Sequence, residues 1–273
     1  MEIKKIILNG CSFVHGFDLC YEEFEVKDTF LNFEDAYETW TNEQKETFAR
    51  KRLSGKLKSH FDCEVVDLSK YGESNDWIAN NTISYLEENK NNLENTLVLI
   101  GWTDIVRTPY FLSNRIRNIS VGSLDHYIDW IAKVAPSEAA AEDQKFYQQL
   151  RPLKQIWDDN PSMLNHCRDR HLSLVIMMQL YLEKLNLNQC MWNSLSMWPA
   201  VPDYNTNYSD YSKIVNWNNW WPNGNKDSYD KSWDDIVWRA NNAFTATRHP
   251  NEYSVNDFSE RLITFIEHKI KSD

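Results

Sequence analysis

Short apolar runs, each closed by turn-forming residues, alternate along the chain with longer stretches of helical period. Ile3–Leu8 is such a run and ends in Asn9-Gly10; Cys63–Leu68, Thr96–Ile100 and Gln189–Ser194 are three more. Apolar runs this short, bounded by Gly, Asn and Ser, predict buried strands. The stretches between them predict helices. Thr41–His60 opens on a T-x-x-Q capping box formed by Thr41 and Gln44, and Asn75–Glu88 starts behind Ser74. Ser162–Leu185 is a long helix, and in the last one, Ser254–Lys271, Phe258, Leu262, Phe265, Ile266 and Ile270 share a face. Strand alternating with helix predicts right-handed crossovers and a parallel sheet of four or five strands in a three-layer α/β/α domain.

Two stretches break this rhythm. Residues 112–161 read as a helical insertion without a strand, with helices at Leu124–Lys133 and Ser137–Leu150. Residues 195–230 are polar and aromatic without a clear period, a length that predicts a lid or binding loop. No internal repeat or low-complexity linker interrupts the chain, so residues 1–273 read as a single domain.

Composition narrows the function classes. With 29 basic and 40 acidic residues the net charge is −11, which gives no general attraction to phosphate backbones or anionic lipid. Nucleic-acid and membrane partners are therefore not expected. The acidic run from Asp18 to Glu38 reads as a solvated face. Five widely spaced cysteines without a CxxC pair fit a reducing compartment. No run is long enough for a signal-peptide core or a membrane span. The expected location is the cytoplasm, or the virion if the chain is phage-encoded.

The candidate chemistry sits at strand ends. Gly10-Cys11-Ser12, Gly72-Glu73-Ser74-Asn75 and Gly101-Trp102-Thr103-Asp104 each follow an apolar run, and ligands of open parallel sheets bind beyond the carboxyl ends of the strands. His249, in Arg248-His249-Pro250-Asn251, reaches the same crevice if the last helix packs beside the first strand.

These four blocks, NGCSFVHG, GESND, IGWTD and RHPNE, resemble in order and context the four sequence blocks of the SGNH/GDSL hydrolase superfamily, in the form found in divergent bacterial and phage proteins. The resemblance implies a flavodoxin-like SGNH hydrolase fold and a serine esterase. Ser12 matches the nucleophile and His249 the general base. The N–H groups of Ser12 and Gly72 match oxyanion donors, with the Thr103 hydroxyl where the family has an asparagine. An O-deacetylase acting on a carbohydrate or another small ester is the implied activity, and no cofactor is implied. Three positions depart from the family pattern: Cys11 and Ala246 stand where it has aspartates, and Thr103 where it has asparagine. His249 must then be oriented by a backbone carbonyl or another acid, Asp234 or Asp235.

Other readings stand beside these. A catalytically inactive SGNH-like binding or phage structural protein fits the same blocks, with Ser12 a capping serine. A nucleotide binder is disfavoured because no Gly-rich phosphate loop follows the first run. His166, Cys167 and His171 do not form a metal site, since histidines five apart stand roughly 140° apart around a helix. His15 reads as a core or loop histidine. Seven of the twelve tryptophans fall from the fourth run, which holds Trp192, to His249. Most read as anchors for that loop, while Trp217, Trp220 and Trp221, with Asn75 and Trp102, are the candidate substrate contacts.

Overall fold

The structure is a computed structural model, and it describes residues 2–16, 19–21, 23–24, 37–105, 107–112, 115–120, 148–160, 162–194, 213–224 and 250–272. In chain order the elements are β1 (Lys5–Gly10), α1 (Ser12–His15), α2 (Asn42–Lys51), α3 (Leu53–Phe61), β2 (Glu64–Asp67), α4 (Asn75–Glu88), β3 (Thr96–Trp102), β4 (Arg107–Leu112), β5 (Arg115–Ser120), α5 (Arg151–Asp159), α6 (Met163–Lys184), β6 (Asn188–Asn193) and α7 (Glu252–Ser272).

Four strands form a parallel sheet in the order β2-β1-β3-β6, so β1 and β3 lie at its centre. Side chains alternate between two helical layers, as the pleat requires. Ile6, Leu8, Leu97, Leu99, Cys190 and Trp192 face a cluster built with Leu53 and Leu57 of α3 and Val255, Phe258, Leu262 and Ile266 of α7. Ile7, Val98, Ile100, Trp102 and Met191 face the opposite cluster, with Ile78 and Leu86 of α4 and Leu172, Val175 and Leu182 of α6. The architecture is therefore α/β/α. On the α7 face Phe258 packs its ring 5.5 Å from Trp192 and 4.8 Å from Trp221. Aromatic pairs of this kind add about 1 kcal/mol each beyond their buried area. Among the described residues no helix is long and apolar enough to cross a membrane.

Three expectations are corrected here. The helix expected over Thr41–His60 is two helices. The capping box forms as read: Thr41 Oγ1 accepts from Gln44 N–H at 3.2 Å, and Gln44 Oε1 accepts from Thr41 N–H at 2.9 Å. Arg52, however, is extended (φ −65°, ψ 160°), held by its ion pair with Asp67 and by its guanidinium over the Phe48 ring at 5.1 Å. Tertiary contacts override helix propensity at that residue.

The second correction concerns the insertion. The strands β4 and β5 pair antiparallel, registered from Arg107↔Ser120 to Leu112↔Arg115. Pro109 and the interspersed arginines disguise the alternation, and a proline is tolerated because each strand of an isolated pair is an edge. The α5 helix continues the helical reading, and 121–147 lie outside the described residues.

The third concerns the Trp- and Asn-rich stretch. Residues 213–224 run beside β6: Trp220 bridges Met191 in parallel, and Trp221 N–H donates to Met191 C=O at 2.9 Å. This single pairing is all of a fifth strand that the described residues contain.

Candidate functional site

The carboxyl edge of the sheet is shaped by two glycines. Gly10 and Gly101 are register partners, and Val14 of α1 lies across both. A Cβ at Gly10 would stand 2.4 Å from Val14 Cγ2, and one at Gly101 would stand 2.5 Å from the same atom. Only glycine at both positions lets α1 settle onto the strand ends. The chain leaves β1 through Cys11, makes the single turn of α1 and is closed by left-handed Gly16, whose N–H donates to Ser12 C=O at 3.0 Å. Ser12 thus opens a helical turn directly beyond the central strand. It is 6% exposed, so the serine lies just below the surface rather than standing out from it.

Hydrogen bonds join the three strand-end turns. Lys70 N–H donates to Gly10 C=O at 3.2 Å, tying the turn after β2 to the end of β1. Asn9, fully buried, donates through Nδ2 to Ile78 C=O (3.0 Å) and Thr82 Oγ1 (2.9 Å) of α4 and accepts from Gly10 N–H at 2.8 Å. Asn75 clamps Thr103: its Oδ1 accepts from Thr103 N–H at 2.8 Å and its Nδ2 donates to Thr103 C=O at 3.2 Å. Both ends of the Asn75 amide therefore position the third turn, instead of lying open to a substrate. Gly72 has φ +76° and open space where a Cβ would be, so backbone conformation, not crowding, explains this glycine. Thr103 is 1% exposed, and its Oγ1 has no hydrogen-bond partner.

His249, Asp234, Asp235 and Ala246 lie outside the described residues. The chain resumes at Pro250, at the same edge. Val255 and Phe258 at the start of α7 belong to one cluster with Phe13 and Val14, whereas Ile270 near its end lies beside Glu2 and Ile3, where β1 begins. Asn251 caps α7, accepting from Ser254 N–H at 3.0 Å. Lys51 of α2 bridges Glu23 (2.7 Å) and Glu252 (2.8 Å), anchoring the first turn of α7. Burial acts against the charge of Lys51, but its hydrogen bonds to the two carboxylates hold it above the ordinary lysine range. Glu23, read from sequence as part of a solvated face, is thus a structural partner.

Three of the four tryptophans expected to meet substrate are buried. Trp102, Trp220 and Trp221 are 0%, 0% and 1% exposed, and none has a free face for a sugar ring. Trp102 lies edge-on to His171 at 5.4 Å on the α6 side. Trp217 is half-buried against the same side of the sheet, its ring 5.6 Å from Trp220. The segment carrying them follows the outer edge of β6, with Asn219 bonded to Lys269, which also donates to Gln189 C=O at 3.1 Å. That path does not cross the strand ends at any described residue, because pairing with Met191 holds it against the sheet. Trp102, Trp220 and Trp221 pack into the core in this way.

The remaining titratable groups have structural surroundings. His15 is buried among Phe48 and Tyr71, with ring centroids 6.1 and 6.3 Å away. Burial, and then Arg170, push His171 down to about 3, so it is a neutral core residue. Glu73, which the sequence reading passed over inside its block, is 6% exposed and accepts from Asn81 Nδ2 at 2.9 Å through Oε1; its Oε2 has no partner. Burial raises it to about 7, against the opposing pull of Lys70 and of the Asn81 hydrogen bond.

No protein-family model matches the chain, and no curated protein matches it. Among solved structures, the psychrotrophic esterase EstA from Pseudoalteromonas sp., in a form inhibited by monoethylphosphonate, is similar over 98% of this chain and 99% of that one, at 12% identity and a TM-score of 0.43.

Proposed function

We propose that the protein is a serine ester hydrolase of the SGNH type, acting as an O-deacetylase on a carbohydrate or another small ester. One observation carries the reading: the turns bearing Ser12, Gly72 and Thr103 are hydrogen-bonded together at the carboxyl edge, with the Thr103 backbone clamped by Asn75 and its hydroxyl buried and unpartnered. A buried hydroxyl without a partner carries a desolvation cost that a ligand oxygen relieves.

In this mechanism Ser12 Oγ attacks the ester carbonyl carbon while His249 takes its proton, since a serine hydroxyl is a weak nucleophile without a base. The carbonyl oxygen becomes an oxyanion and is held by the N–H groups of Ser12 and Gly72 and by Thr103 Oγ1–H. Collapse expels the alcohol, which leaves with the proton from His249. Water, deprotonated by the same imidazole, then attacks the acyl-enzyme and releases the carboxylic acid. Lys51 supports the arrangement by fixing α7, the helix that begins three residues after His249.

The burial of Ser12 favours a second reading, a non-catalytic SGNH-like binding protein. Turnover of p-nitrophenyl acetate separates the two. The hydrolase reading predicts activity that Ser12→Ala and His249→Ala each reduce by about 10³-fold or more with the fold intact. Equal background rates for all three proteins favour the binding reading.

A further inference from the structure

Arg107 lies just beyond the Thr103 turn and reaches back to the turn after β2. Its backbone N–H donates to Asp104 C=O at 3.1 Å, and its Nη1 donates to Glu73 C=O at 3.3 Å. Glu73 stands between Gly72, whose N–H is the second oxyanion donor, and Ser74, the N-cap of α4. The guanidinium is therefore held beside the oxyanion hole and at the start of a 14-residue helix. Ser74 makes no cap bond with its side chain, and its fully buried Oγ has no partner, so α4 begins without a side-chain acceptor from its N-cap. Arg52 and Arg170, half-buried like Arg107, each carry a carboxylate, Asp67 and Asp76 respectively. No carboxylate among the described residues pairs with Arg107, and its buried Nε has no partner. The two acids nearest in the chain are engaged elsewhere: Asp76 with Arg170, and the Glu73 carboxylate with Asn81 Nδ2 at 2.9 Å. A guanidinium drawn out of water without a counter-charge is costly.

We propose that Arg107 is a specificity-determining residue that binds a carboxylate on the substrate, so that the preferred ester is that of an acidic sugar or another carboxylate-bearing alcohol. This rests on the hydrolase reading above and adds the charge of the substrate to it. With Nη1 taken by Glu73 C=O, the edge of the guanidinium that remains is Nε–H with Nη2–H. That edge is a planar fork, which receives the two oxygens of a carboxylate in parallel bonds. A carboxylate there supplies both the counter-charge and the acceptor that Nε lacks, and the N-terminus of α4 favours the same negative charge. The acyl group of an acetate ester carries no such group, so the carboxylate belongs to the alcohol portion. The net charge of −11 repels acidic substrates in general, and a fixed cation at the crevice provides the attraction locally.

The test compares an O-acetylated methyl glucuronoside with the same sugar as its methyl ester, two substrates that differ only in the carboxylate, using the full chain. Wild type deacetylates the acid with a kcat/KM about tenfold or more above that for the methyl ester, through KM. Arg107→Gln abolishes this ratio. The ratio is the readout because loss of a merely structural bond to Glu73 C=O lowers both rates alike. Arg107→Lys, which keeps the charge but not the fork, retains only part of the ratio and covers the case in which the glutamine variant does not fold. A wild type that treats the two sugars alike, one that cleaves only p-nitrophenyl acetate, or a ratio unchanged in either folded variant overturns the subsite and leaves the hydrolase reading standing. A wild type that cleaves none of the three esters, and whose Ser12 takes no phosphonate, overturns both.

Discussion

Glu73→Gln removes an ionisable proton from the turn behind β2 while keeping the oxygen that accepts from Asn81. The wild-type carboxyl is 6% exposed, with its second oxygen unpartnered, and burial raises it from 4.5 to about 7. Because the folded value lies above the unfolded one, the folded state holds its proton longer. The associated stability is complete below about pH 4.5 and is lost as pH rises through 7. At about 1.4 kcal/mol per pKa unit the loss amounts to roughly 3 kcal/mol by pH 8.5. The substituted amide never ionises and escapes it. Lys70 and the Arg107 guanidinium, which bonds Glu73 C=O at 3.3 Å, are the cations facing this turn, and they are common to both proteins. The assay is a pair of thermal melts, at pH 4.5 and pH 8.5. With about 2–4 °C of Tm per kcal/mol for a chain near this size, the glutamine variant melts about 6–12 °C above wild type at pH 8.5 and close to it at pH 4.5. A difference independent of pH, or one that favours wild type as pH rises, refutes the argument from burial.

Three further outcomes follow from the packing. Trp220→Ala loses about 3–5 kcal/mol in urea unfolding and leaves ester KM unchanged, because the ring is fully buried beside β6 and away from the strand ends. Gly101→Ala drives a methyl into Val14 and the Trp192 ring, costing about 1–3 kcal/mol by the same measurement and displacing the turn that carries Ser12. Asn75→Ala leaves the buried Thr103 N–H without its acceptor, costing about 2–3 kcal/mol and lowering kcat more than it raises KM.

The sheet was legible because each central strand announces itself locally: Ile6-Ile7-Leu8 and Leu97-Val98-Leu99-Ile100 are buried on both faces and bounded by glycine. The Thr41–Gln44 box was equally local. Features set by partners distant in sequence were not legible. Arg52 breaks a helical pattern because Asp67 lies fifteen residues on in a neighbouring strand. Trp220 and Trp221 read as part of a polar loop because the Met191 pairing that buries them leaves no periodic trace. The turns after β1, β2 and β3 were found as strand ends with glycine, and the clamp between Asn75 and Thr103 joins two of them. Glu73 lay in plain view inside GESN, but nothing in that string says that its carboxyl folds back to Asn81.

The central claim is that Ser12 is an activated nucleophile, and covalent labelling tests it most directly. Incubation with a fluorophosphonate, followed by peptide mapping by mass spectrometry, reads the modified residue itself. The account predicts one adduct per chain, on the peptide containing Ser12, absent from Ser12→Ala and slowed strongly in His249→Ala. An unmodified wild-type chain, or an adduct on any other serine, contradicts it.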